Sequence, residues 1–88
     1  MGTVTSASFV RKNLISRQFG EVLRQYRLSR GWSQSVLSTK SKVDRTYISQ
    51  IERGLKNLSL YNVHRLADAL RISPADFFVA GGSKRTVR

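Results

Sequence analysis

The stretch "WSQSVLSTKSKVDRTYISQIERG" (Trp32–Gly54) decides the fold, because it reads as two short helices with almost nothing between them. Helix two is expected from about Gln34 to Lys40, with Val36 and Leu37 facing inward, and helix three from Arg45 to Arg53, ended by Gly54. Only Ser41, Lys42, Val43 and the capping Asp44 lie between them. So short a connection forces a steep crossing and leaves one face of the second helix uncovered. At about 100° per residue, Arg45, Thr46, Ser49, Gln50 and Arg53 share an arc of roughly 140°. Ile48 and Ile51 fall opposite, with Tyr47 toward the flank.

That arc lacks Lys and Glu, the residues that usually make a helix face soluble. Its side chains instead suit the edges of base pairs. Arg forms a two-pronged bond with guanine, Gln does the same with adenine, and the short Thr46 and Ser49 permit close approach. An exposed helix of this width also fits the major groove of B-form DNA. Composition by itself leaves the plain alternative, a solvated face, open.

Working outward, four helix starts share one pattern: an apolar residue, a capping residue, and an apolar residue five positions after the first. The sets are Trp32-Ser33-Leu37, Val43-Asp44-Ile48, Leu58-Ser59-Val63 and Ile72-Ser73-Phe77. Each is a hydrophobic staple around an N-cap. The last adds Pro74 at the first helical position and Asp76 soon after. Helix one is expected from roughly Arg17 to Ser29, with Phe19, Val22, Leu23 and Tyr26 along one face and Gly31 ending it. Helix four covers Leu60 to Leu70, with Leu60, Val63, Leu66, Ala67 and Leu70 at helical spacing, and helix five covers Pro74 to about Val79. No segment reads as a strand. The expected class is all-α, five helices in one domain over 17–79, with a flexible arm or helix extension at 1–16 and a flexible basic tail at 80–88.

The chain has 88 residues, and sixteen Lys and Arg against five Asp and Glu give a formal charge of +11. The segment Arg17–Phe78 keeps eleven of those bases and all five acids, so the expected body is basic without its ends. Such a charge points to a polyanionic partner, nucleic acid or an anionic surface. There are no cysteines, which excludes disulfides and the common zinc-finger ligand sets. No apolar run approaches membrane-spanning length and no secretory signal is evident, so a cytoplasmic location is expected. His64 is the single histidine, with no second ligand at metal spacing, and reads as a flank residue. The serines lack a locally placed base or a Gly-x-Ser-x-Gly elbow. No enzyme activity, metal, cofactor, small-molecule ligand or membrane contact is expected.

Taken together, "LRQYRLSRGWSQSVLS", "DRTYISQIERG" and "LYNVHRLADALRIS" stand in the order and spacing of the Cro/phage-repressor-like (XRE) helix-turn-helix proteins, which the chain resembles from Phe19 to about Phe78. Within that group, "DRTYISQIERGLKNLSL" is similar to the restriction–modification controllers. The resemblance implies a lambda-repressor-like fold and double-stranded DNA as partner. It also implies site residues. Ser33 and Gln34, opening helix two, match phosphate-binding positions, which agrees with the free N–H groups and positive dipole end there. Arg45, Thr46, Ser49 and Gln50 match base-facing positions, and Asp44 matches the cap, where a carboxylate can also accept from cytosine. Arg53, Lys56 and Asn57 match phosphate contacts after helix three. Tyr47 is either core edge or a phosphate donor. Arg27 and Glu52 match a pair that the family buries, each needing the other.

Resemblance further implies dimerisation through the last helix, on half-sites about one helical turn apart. Phe77 and Phe78 are then either core cover or dimer contacts. Three positions depart from the family pattern: Lys42 and Arg71 stand where Gly is common, and Leu58 replaces a common Pro. A non-glycine residue at Lys42 must take any left-handed conformation at some energetic cost. The expected role is a sequence-specific regulator binding a near-palindromic operator as a homodimer, controlled by its own concentration or by a partner protein. The alternative is an antitoxin-type interaction module that docks on a partner protein, with DNA binding secondary.

Overall fold

The computed structural model describes the backbone of residues 2–79 and the side chains of residues 13–78. The tail expected over 80–88 and the side chains of Arg11 and Lys12 lie outside the described residues. Five helices follow one another, α1 (Gly2–Ser29), α2 (Gln34–Ser41), α3 (Arg45–Glu52), α4 (Leu60–Leu70) and α5 (Asp76–Val79), and no strand occurs among the described residues. Helix α1 therefore starts far upstream of Arg17, so that the segment expected as an arm or a helix extension continues the helix.

Three of the four expected N-caps form, and the fourth capping residue, Ser73, instead holds the turn before α5. Ser33 Oγ accepts Val36 N–H at 3.1 Å, Asp44 Oδ2 accepts those of Thr46 and Tyr47 at 3.0 and 3.3 Å, and Ser59 Oγ accepts that of Asn62 at 3.1 Å. Before α5, Ser73 Oγ accepts Ala75 N–H at 3.3 Å while Asp76 Oδ2 accepts Ser73 N–H at 2.9 Å, a reciprocal box. The turns across Pro74 and Ala75 are closed by i→i+3 bonds, which places the helix start at Asp76 and two residues later than expected.

Helix ends use the left-handed conformation. At Gly54 (φ 75°), Leu55 N–H bonds to Gln50 C=O and Gly54 N–H to Ile51 C=O, both at 2.9 Å, which is a Schellman motif. The same pair of bonds closes α4 around Arg71, at φ 59° and without a glycine. Lys42 ends α2 at φ 66°, its N–H bonded to Ser38 C=O at 2.8 Å.

Helix α1 packs on α3 and α5, and α2 packs on α3 and α4. Leu23, Leu37, Ile48, Ile51, Leu66 and Leu70 are its innermost aliphatic residues, with Phe19, Val22, Val43, Val63, Ala67 and Phe77 completing the core. Two inward assignments are corrected. Val36 is 38% exposed, because Leu37 and, one turn on, Ser41 take the inward face of this two-turn helix. Leu60 is 88% exposed: it opens α4, where the helix end projects past the core.

Candidate nucleic-acid interface

Helix α3 is held from one side. Ile48 and Ile51 have no exposure, while Arg45, Thr46 and Arg53 are exposed and Ser49 and Gln50 are half-buried at the edge of the same arc. Fixing a helix by one buried face, with polar groups standing free on the other, is what insertion into a groove requires. The turn before it is locked from within. Ser38 Oγ donates to Val43 C=O at 2.6 Å, and Ser41 Oγ accepts Val43 N–H at 3.2 Å. The serine-rich composition of α2 had given no sign of this role.

The acidic groups beside the arc are occupied. One oxygen of Asp44 accepts two backbone N–H groups of α3, so its first role is the cap. Glu52 closes α3 in a two-pronged pair with Arg27, Nε to Oε2 at 2.7 Å and Nη2 to Oε1 at 2.9 Å. Arg27 is 7% exposed, and its remaining fork atom Nη1 donates to Trp32 C=O at 2.7 Å. The hydrogen bond that Arg27 donates to Glu52 raises the Arg27 pKa above its ordinary value; burial opposes this and the carboxylate charge assists it. Lys40, Lys42, Arg45, Arg53 and Lys56 stand exposed around the arc, so the surface of α2, α3 and the following loop is positive.

Several expected phosphate contacts have intramolecular partners. Gln34 Nε2 donates to Glu52 Oε1 at 3.1 Å, which ties the start of α2 to the end of α3 and leaves the second amide hydrogen outside that bond. Tyr47 Oη donates to Asn57 C=O at 3.0 Å. Its ring packs against the core, which places Tyr47 at the core edge with its hydroxyl bonded to the loop after α3. Asn57 also accepts from Ser16 Oγ through Oδ1 at 3.2 Å. Asn57 is thus a hub for the loop after α3, and its neighbour Lys56 is exposed.

The adjacent phenylalanines part company. Phe77 is 2% exposed, with ring centroids 4.7 Å from Phe19 and 6.0 Å from Tyr26, so the expectation of a dimer contact at Phe77 is corrected: it is core. Phe78 is 61% exposed and, with Ile15, Phe19, Leu58, Leu60 and Val63, lines an apolar groove of about 200 Å³.

The helix-turn-helix family model HTH_3 matches residues 23–77, most of the folded chain. The chain belongs to this helix-turn-helix family. Among its relatives, Control protein C.BamHI from Bacillus amyloliquefaciens is 45% identical over 65 residues, covering 73% of this chain and 80% of that protein. The crystal structure of the restriction–modification controller protein C.AhdI from Aeromonas hydrophila superposes with a TM-score of 0.72 at 42% identity, covering 74% of this chain and 98% of that one. A third, the restriction–modification controller C.Esp1396I, was solved as a tetramer on its natural 35 base-pair operator. It matches at 33% identity with a TM-score of 0.71, over 78% of this chain and 91% of its own. In this helix-turn-helix member, α2 and α3 are the helix pair, and α1 carries a helical segment upstream of the matched residues.

Proposed function

We propose that this protein is a sequence-specific double-stranded DNA-binding transcriptional regulator of the controller type, acting in the cytoplasm as a homodimer on a near-palindromic operator and without enzyme activity. The observation that carries the reading is the free polar arc of α3 on a helix whose opposite face has no exposure. In this reading Arg45, Thr46, Ser49 and Gln50 meet base edges. Ser33, Gln34, Arg53, Lys56 and Asn57 bond phosphates and set the register, with Gln34 using the amide hydrogen that Glu52 does not take. The operator complex of C.Esp1396I supports double-stranded DNA as partner. Among the described residues no cluster of metal-binding side chains occurs and no helix is long and apolar enough to cross a membrane.

The groove beside Phe78 supports the second copy, since it sets Ile15, Leu60 and Phe78 side by side in water. Phe78→Asp is expected to give a folded monomer with much weaker duplex binding. A variant that sediments as a dimer at micromolar concentration contradicts that assignment. The function itself is tested by selection from a random duplex pool at near-physiological salt. Two inverted half-sites about one turn apart support it; binding without any motif, fading with salt, refutes it.

A further inference from the structure

We propose that Arg17, on α1, is an additional phosphate-contacting residue that carries the DNA edge beyond the helix-turn-helix pair; this rests on the duplex-binding reading above. The observation begins at Gly54. A Cβ placed there would lie 2.6 Å from Arg17 Cγ and 3.1 Å from Arg17 Cα, so the arginine stem rests directly on the glycine that ends the recognition helix. One residue earlier, Ser16 Oγ donates to Asn57 Oδ1 at 3.2 Å. Two consecutive residues of α1 are thereby fastened to both ends of the loop 54–57.

Arg17 is exposed, and its charge has no acidic partner: among the described residues the one ion pair is Arg27 with Glu52. Glu21, one turn along α1, accepts instead from Gln25 at 3.2 Å. Arg53 and Lys56, also exposed, flank the glycine on which Arg17 lies. The stem of Arg17 thus meets the chain between two exposed bases, and like charges brought near one another in this way favour a polyanionic partner. The stem packing matters as much as the charge. A long side chain whose methylenes are seated on backbone loses less freedom when its fork closes on phosphate. Arg17 lies six residues before the family-matched segment, which starts at residue 23.

The test uses the full chain, a labelled duplex carrying the selected half-sites, and a scrambled duplex of equal length. Arg17→Met keeps the stem and removes the charge, and Arg17→Lys keeps the charge. Arg17→Met is expected to bind both duplexes roughly five- to tenfold more weakly at 0.1 M salt, with the slope of log K against log salt reduced by about 1.8, because each of the two protomers loses one phosphate contact. The selected motif and the melting temperature stay as in the wild type, and Arg17→Lys recovers most of the affinity. Wild-type affinity and slope in Arg17→Met overturn the proposal, as does weakened binding with an unchanged slope and a lowered melting temperature, which assigns Arg17 to packing alone. If the wild-type protein selects no motif, the duplex-binding reading has failed first and this contact falls with it.

Discussion

The two ends of the recognition helix are built on different principles. Its entry is local: Lys42 turns the chain at φ 66°, Ser38 and Ser41 bond Val43, and Asp44 caps the first turn. Every partner lies within five residues of the group it holds. Its exit, though closed locally at Gly54, is held at long range. Gly20 lets α1 approach the last carbonyls of α3, Arg27 reaches Glu52 across 25 residues, and Ser16 reaches Asn57 across 41. The entry thus carries backbone strain in exchange for a compact turn, whereas the exit is relaxed and depends on the rest of the fold. Damage at the exit should therefore cost more than damage at the entry.

The largest expected effect is at Glu52. Glu52→Ala leaves Arg27 buried without its counter-charge, a loss of roughly 3 kcal/mol that lowers Tm by about 10–20 °C in a domain of this size. Replacing both partners with apolar residues of similar volume should recover much of it, because no buried charge is then left alone. An unchanged Tm in Glu52→Ala would remove the pair from the account. Gly20→Ala comes next. The added methyl would press on the Ile51 carbonyl oxygen and lie 2.9 Å from that of Glu52, both backbone atoms that cannot swing aside. A loss of about 2 kcal/mol in urea unfolding is expected. A neutral result would mean that α1 and α3 separate freely.

The entry should respond less. Asp44→Ala removes the acceptor of two backbone N–H groups and is expected to lower stability by about 1 kcal/mol. A greater loss there than at Glu52 would invert the comparison. Lys42→Gly has the opposite sign. It relieves a left-handed conformation that costs a side-chain-bearing residue about 1 kcal/mol, so thermal unfolding should shift upward by a few degrees. A fall in Tm would show that Lys42 is not strained.

This division also marks what could be read in the sequence. N-caps, staples and the polar arc of α3 depend on residues within one or two turns of each other, and the caps Ser33, Asp44 and Ser59 appear in the structure as expected. What escaped was set across the fold. Gly20 carries no turn signal, and its importance lies only in how close α3 comes. Asn57 resembles an ordinary loop residue until Ser16 and Tyr47 are brought to it. Helical periodicity located the core face of α4 but not where the core stops, hence the exposed Leu60. The same limit separates Phe77 from Phe78: neighbours in sequence whose rings both reach Phe19, one buried there and against Tyr26, the other largely open to water. The upstream half of α1 shows no firm apolar period, so its helicity was not evident from pattern.

Base reading by the free arc of α3 underlies every role given to this surface. It is tested most directly by repeating the duplex selection with Gln50→Ala, whose side chain leaves the arc while Ile48 and Ile51 keep the helix in place. The expected result is the same two inverted half-sites with one position in each relaxed, a discrimination of about 1–3 kcal/mol removed. An identical motif at every position would contradict it.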